Sequence, residues 1–100
     1  MNVPEIDVQK TKTLVAEKSA TIVDIRDSRS YAAGHIPGAI RVDDGNVRSF
    51  LEETPKDRKI IVCCYHGHSS LSAAAFFMAQ GFTDVASMSG GFAAWDGTRE

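Results

Sequence analysis

The sequence predicts an α/β fold with a mostly parallel sheet, and three observations carry that expectation. Short β-branched runs alternate with helix-like segments along the chain, which is the order of βα units. Lys59-Ile60-Ile61-Val62-Cys63 is apolar on both faces, as a strand covered on both sides must be. A glycine-containing stretch, Cys64-Tyr65-His66-Gly67-His68-Ser69, then leads into a helical pattern from Ser70 to Gln80.

The elements follow in order. Glu5-Ile6 reads as a very short edge strand. Val8 to Lys18 sets Val8, Leu14 and Val15 among charges, a helix that Asp7 can cap. Thr21-Ile22-Val23-Asp24-Ile25 is a β-branched strand. Ser28 to Ala33 gives a turn or two of helix closed by Gly34. Ala39-Ile40-Arg41-Val42 is a strand entered through Pro37-Gly38. Val47, Phe50 and Leu51 form an i, i+3, i+4 face that ends before Pro55. Leu71 to Gln80 is the longest helix, rich in Ala and stopped by Gly81. Asp84 to Met88 is a weaker strand. After the Gly90-Gly91 turn, Phe92 to Trp95 reads as a short helix whose two aromatics share one face.

The chain has 100 residues, one domain spanning residues 1–100, with no linker, repeat or low-complexity tract. At this size folding buries roughly 60–68% of the unfolded chain's surface. Apolar residues make up 43%, enough for a core, and the net charge is −2. Lys and Arg are scattered rather than striped, which argues against nucleic acid as a partner. No run approaches a membrane span. The start, Met1-Asn2-Val3-Pro4-Glu5, lacks a charged-then-apolar leader. The two cysteines are adjacent and form no framework between distant segments. Free thiols suit a reducing compartment, so the expected location is cytoplasmic.

Successive strand residues face opposite sides, so Cys63 and Cys64 point in different directions. Cys63 lies within the apolar run and reads as a core filler. Cys64 opens the loop and is the candidate nucleophile. Gly67 lets successive N–H groups converge, and the start of a helix favours an anionic sulfur. Ser69 and Ser70 can cap that helix and donate a hydroxyl inward. The spacing of Cys64, His66 and His68 is poor for structural zinc, which takes ligands in separated pairs, and an N–H cradle repels a cation. No metal or cofactor is therefore expected.

From Ile60 to Thr98 there is no Lys or Arg. A cysteine phosphatase would want an arginine fork beside its anion loop, whereas a singly charged persulfide needs less neutralisation. The loop thus leans toward sulfur transfer. Arg26, in Asp24-Ile25-Arg26-Asp27 at another strand end, either orients an anion or pairs with Asp24 or Asp27. In Gly34-His35-Ile36-Pro37-Gly38, Ile36 is expected to pack inward and His35 to make a structural hydrogen bond or line the pocket.

Together these segments resemble the rhodanese family of single-domain sulfurtransferases, of the bacterial type encoded with glycerol-metabolism genes. The family's active loop, Cys-Tyr-His-Gly, a polar residue, then Ser-Ser, is matched by Cys64 through Ser70. Its Asp-x-Arg and Gly-His-Ile-Pro-Gly-Ala signatures are matched by Asp24 to Arg26 and Gly34 to Ala39, and its Gly-Gly-x-x-x-Trp by Gly90 to Trp95. The resemblance implies a five-stranded parallel sheet flanked by helices. It implies a thiosulfate sulfurtransferase in which Cys64 carries a persulfide held by the amides of Tyr65, His66, Gly67, His68, Ser69 and Ser70. It also implies thiosulfate or another persulfide as donor, and cyanide or a dithiol, thioredoxin-like proteins included, as acceptor. Many members carry Arg at the second or sixth loop position, where this chain has Tyr65 and Ser69. Two rival readings are a non-enzymatic sulfur-relay or docking module and a cysteine-based phosphatase or arsenate reductase. The missing Arg and the short loop disfavour the last.

Overall fold

The computed structural model describes residues 2–100. In it β1 (Glu5–Ile6) leads to α1 (Val8–Ala16), β2 (Thr21–Asp24) to α2 (Ser28–Ala33), and β3 (Ile40–Arg41) to α3 (Val47–Glu53). β4 (Ile60–Cys63) is followed by α4 (Ser69–Ala79), and β5 (Val85–Met88) by a 3₁₀ turn at Phe92–Ala94. The strands form one sheet in the order β1-β5-β4-β2-β3, with every neighbouring pair parallel. The parallel sheet expected from the alternation is present, and the short strand at Glu5–Ile6 does lie at its edge.

Parallel strands need crossovers, and the crossover helices cover both faces. The two faces are legible in the central strands. Ile60 and Val62 pack with Val23, Phe50, Phe77 and Phe82 under α3 and α4. Ile61 and Cys63 pack with Ile22, Ile36, Met88, Phe92 and Trp95, against which Leu14 and Val15 of α1 also rest. This is the period-two alternation of a strand buried on both sides, and all four residues of β4 are buried. Each large apolar side chain so covered contributes about 1.5–3 kcal/mol relative to exposure. Among the described residues, no helix is long and apolar enough to cross a membrane.

The register sets up the site. Asp24 pairs with Cys63 across β2 and β4, so the loops that follow these strands leave the same sheet edge side by side. Ligands in open parallel sheets bind beyond that edge.

The expected boundaries shift in physically readable ways. Asp7 and Asp27 cap α1 and α2, accepting from the N–H groups of Lys10 at 2.7 Å and Ser30 at 3.3 Å. α1 stops at Ala16 rather than Lys18, and Lys18 adopts a φ of 56°. β3 shrinks to two residues at the open edge, where Ile40 is exposed. α4 begins at Ser69, with His68 at the cap position and no side-chain cap bond. Ser69 and Ser70 are therefore first-turn residues rather than caps, because the Ser70 hydroxyl is held by the cysteine sulfur. The segment after Gly91 is a single 3₁₀ turn. The N–H groups of Phe92 and Ala93 bond the carbonyls of Cys64 and Tyr65 instead.

Candidate active site

Cys64 leaves the buried end of β4, and the chain wraps around its sulfur. Sγ accepts hydrogen bonds from the Gly67 N–H at 3.1 Å, the Ser70 N–H at 3.2 Å and the Ser70 hydroxyl at 3.2 Å. Cys64 itself is only 5% exposed, while Tyr65, His66, His68 and Ser69 stand exposed around it. Gly67 makes the wrap possible. Its φ is 92°, and a β-carbon there would sit 2.9 Å from the Gly90 nitrogen, so both conformation and space require glycine.

Burial alone would push the Cys64 thiol up. The Ser70 hydroxyl, the Ser70 and Gly67 N–H groups and, behind them, the His66 N–H outweigh that cost and hold it below the usual thiol value. α4 aims the positive end of its dipole at the same point. Cys63 has the opposite surroundings. Its burial, reinforced by the Asp24 charge and only partly relieved by Arg26, leaves it pushed up to about 12. The two neighbouring thiols are thus shifted in opposite directions, Cys64 down and Cys63 up.

Behind Ser70 lies a residue that sequence reasoning missed. Ser87 of β5 places its Oγ 2.7 Å from the Ser70 Oγ, and both side chains are fully buried. A hydroxyl has one proton to donate. When Ser70 gives its proton to an anionic sulfur, it must accept from Ser87. Ser87 thus fixes the direction of the Ser70 hydroxyl. The available signal was a polar residue on a strand whose neighbours Val85 and Met88 are apolar.

The Gly90-Gly91 turn has a role beyond a change of direction. The Phe92 and Ala93 N–H groups reach the Cys64 and Tyr65 carbonyls at 2.8 and 2.9 Å. A β-carbon on Gly91, where φ is 63°, would lie 2.6 Å from the Cys64 oxygen and 2.5 Å from that of Tyr65. The paired glycines let this turn brace the cysteine loop from behind.

Arg26 is held by Asp24. Asp24 Oδ1 accepts from the Arg26 N–H at 2.9 Å and from Nε at 3.0 Å, and Oδ2 accepts from Nη2 at 2.7 Å. Nη2 also donates to the Gly34 carbonyl at 2.8 Å, and the guanidinium lies 4.0 Å over the Phe92 ring. Burial opposes its charge, but Asp24 more than compensates, and the pKa is raised. Of the two roles left open for Arg26, ion pairing with Asp24 is the one its geometry displays. His35 bonds the Tyr31 carbonyl through Nδ1 at 2.8 Å and stacks on the Tyr31 ring, a structural arrangement, and Ile36 is fully buried. The fold thus gathers Cys64, Gly67 and Ser70 into the cradle and sets Tyr65, His66, His68 and Ser69 at its mouth. Arg26 stands one aromatic ring away.

Comparison with known proteins agrees with this architecture. Residues 7–98 match the family described as Rhodanese-like domain. The thiosulfate sulfurtransferase GlpE of Pseudoalteromonas translucida is 46% identical over 91 residues, 91% of this chain and 87% of that protein. GlpE of Pseudomonas fluorescens is 53% identical over 79 residues, covering 79% and 72%. The rhodanese-like domain of an Anabaena protein superposes with a TM-score of 0.86 at 29% identity, over 100% of this chain and 80% of that one. A rhodanese-like domain protein from Staphylococcus aureus gives 0.85 at 27% identity, over 98% and 97%.

Proposed function

Because the chain belongs to the rhodanese-like domain family, we propose that it is a thiosulfate sulfurtransferase that carries sulfur as a persulfide on Cys64. The observation that supports this most directly is the sulfur at the focus of three donors, with its thiol held below the usual value.

The transfer runs in two halves. The Cys64 thiolate attacks the outer sulfur of thiosulfate. The bond from that sulfur to the sulfonate breaks, and sulfite leaves with the electron pair. The negative charge now rests on the outer sulfur of Cys64–S–S⁻. The amides from Tyr65 to Ser70 hold that charge, as preorganised donors hold a developing oxyanion. An acceptor then attacks the outer sulfur. Cyanide leaves as thiocyanate, whereas a dithiol takes the sulfur as its own persulfide. Either way the Cys64 thiolate returns.

Tyr65, His66, His68 and Ser69 shape the mouth that donor and acceptor pass. A small persulfide in place of thiosulfate fits the same cradle, since the loop offers no cation for a dianion. The absent loop arginine also weighs against phosphate esters. A dithiol partner of thioredoxin-like type and the cytoplasm, where Cys63 and Cys64 stay reduced, complete the proposal.

The decisive experiment is mass spectrometry of the intact protein before and after thiosulfate. The expected result is a gain of one sulfur atom on Cys64 that cyanide removes as thiocyanate. A protein that takes up no sulfur from thiosulfate, or takes it up on Cys63, would refute the proposal.

A further inference from the structure

An apolar groove that the sulfur chemistry does not use lies on the sheet edge from which the cysteine loop emerges. Asp24 pairs with Cys63 and with Arg41, and the next residues of β2 and β3, Ile25 and Val42, continue past that edge. The Ile25 N–H donates to the Cys63 carbonyl and the Val42 N–H to the Asp24 carbonyl, each at 3.0 Å. Val47 at the start of α3, with Ala73 and Phe76 on α4, completes the apolar walls of a groove of about 440 Å³. Phe76 is 41% exposed, while the next residue, Phe77, is buried in the core.

The rim of this groove is acidic. Asp43 and Asp44 border it, and among the described residues no Lys or Arg lines it. Asp43 is already occupied: its Oδ2 accepts from Arg41 Nη2 at 2.7 Å, and its Oδ1 from the Gly45 and Asn46 N–H groups at 2.8 and 3.2 Å. Asp44 is exposed and forms no salt bridge among the described residues. α4 brings no cation to offset it, since Ile60 to Thr98 holds no Lys or Arg. One uncompensated carboxylate above an apolar floor is complementary to an apolar side chain with a cation beside it. The groove also falls within the footprint of any protein that reaches the sulfur. Cys64 is only 5% exposed, so a protein must press its own thiol into the mouth. Even a transient contact covers about 600 Å² per partner, roughly 14 Å in radius. Ser69 stands at the mouth, and Phe76 lies two turns further along α4, about 11 Å at the helical rise.

We propose that this groove docks the protein that accepts the sulfur, through a segment that presents an apolar side chain and a Lys or Arg beside its thiol. The inference rests on the proposed sulfurtransferase activity and deepens it by naming the acceptor's chemistry. The apolar side chain packs on Phe76, Ile25 and Val47, and the cation pairs with Asp44. The acceptor thiol loses its proton to solvent, and its thiolate attacks the outer sulfur of the Cys64 persulfide. A sulfur–sulfur bond forms on the acceptor as the bond to the Cys64 sulfur breaks, and the Cys64 thiolate leaves with the electron pair. Small acceptors such as cyanide do not span the groove and gain nothing from it. The groove therefore separates protein acceptors by charge without touching the transfer itself.

Two synthetic peptides serve as acceptors, each with one cysteine and one leucine, the first flanked by lysines and the second by glutamates. The rate at which sulfur-loaded protein returns to its unloaded mass gives the second-order rate constant for each. The basic peptide should react about tenfold faster than the acidic one at low salt. Asp44→Asn should abolish that preference and Asp44→Lys should reverse it. Phe76→Ser should slow both peptides about threefold, because the apolar contact does not depend on charge. Cyanide and dithiothreitol should stay within about twofold in all three variants. A protein with no preference for the basic peptide, or a preference that Asp44→Lys leaves unchanged, would overturn the assignment. Equal losses for the peptides and for dithiothreitol would overturn it too, since the groove would then act on the transfer. Self-association of the unaltered protein in sedimentation, abolished by Phe76→Ser, would give the groove to a second copy of the chain instead. If thiosulfate loads no sulfur, the activity itself fails, and the same peptides with serine for cysteine still judge the groove by fluorescence anisotropy. Tighter binding of the basic peptide, reversed by Asp44→Lys, would uphold the docking surface, and equal binding of both would overturn it.

Discussion

Cys63 and Cys64 are the same residue at neighbouring positions, and the fold gives them opposite chemistry. Cys63 is the last residue of β4, packed among Ile22, Ile61 and Met88 with no exposure. Among the described residues no N–H group donates to its sulfur, which itself donates to the Cys64 carbonyl, and its thiol is pushed up to about 12. Cys64 lies one peptide further on. There the strand ladder ends, the backbone N–H groups lose their sheet partners, and Gly67 and Ser70 turn theirs toward the sulfur. Cys63 is the more deeply buried and lies beside the Asp24 charge, and both raise its thiol; at Cys64 the donors of Ser70 and Gly67 outweigh burial. A strand end beside a helix start lowers the pKa of a thiol that the strand interior would raise.

The largest test of this contrast is to remove each sulfur in turn. Cys64→Ser should lower thiosulfate-to-cyanide transfer by about a thousandfold or more, to the background of the assay, because the sulfur carrier itself is gone. Cys63→Ala should keep transfer within about threefold while losing roughly 1–2 kcal/mol of stability to the gap left in the core. Steady-state rates and thermal melts of both variants read this out. A folded Cys63→Ala that is as inactive as Cys64→Ser would erase the distinction.

The second test asks whether the donors or the side chains of the loop make the difference. Gly67→Val must abandon a φ of 92° and push against the Gly90 backbone, so the Gly67 N–H leaves the sulfur. Its activity should fall about a hundredfold, the usual scale for losing one preorganised donor. His66→Ala and His68→Ala change exposed side chains at the mouth and should stay within about threefold. Equal losses in all three, with folding intact, would give an imidazole the role assigned here to the backbone.

The two regions also differ in how far they can be read from sequence. The sheet and its central strand were legible because burial on both faces leaves an unbroken apolar run, Ile60 to Cys63. Asp7 as a cap, the inward Ile36 and the aromatic face of Phe92 and Trp95 were legible from local rules of spacing and capping. The cradle's supports were not. Ser87 reaches Ser70 across 17 positions, and no periodicity marks that pairing. Ser69 and Ser70 looked like caps because Ser at a helix start usually is one, yet tertiary demand for the Ser70 hydroxyl overrode the local preference. Gly90-Gly91 looked like a plain turn, since a close approach to a backbone far away in sequence leaves no local trace.

The finest test works on the hydroxyl pair behind Cys64, where the difference between the cysteines is set by a single proton. The Ser70 hydroxyl lowers the Cys64 pKa, so Ser70→Ala should move it upward. Alkylation by iodoacetamide reads this directly, because only the thiolate reacts. The rate rises with pH through the thiol pKa. The Ser70→Ala curve should therefore lie to the alkaline side, with alkylation near neutral pH about three- to tenfold slower and the plateau at high pH restored. Ser87→Ala leaves Ser70 in place but frees its hydroxyl to rotate, and should shift the curve the same way by less, about twofold in rate near neutral pH. The double variant Ser70→Ala/Ser87→Ala should match Ser70→Ala alone, since Ser87 acts only through Ser70. Additive effects in the double variant would show that Ser87 acts on the sulfur by another route. A Ser87→Ala curve identical to that of the unaltered protein would show that the Ser70 hydroxyl finds its direction without help.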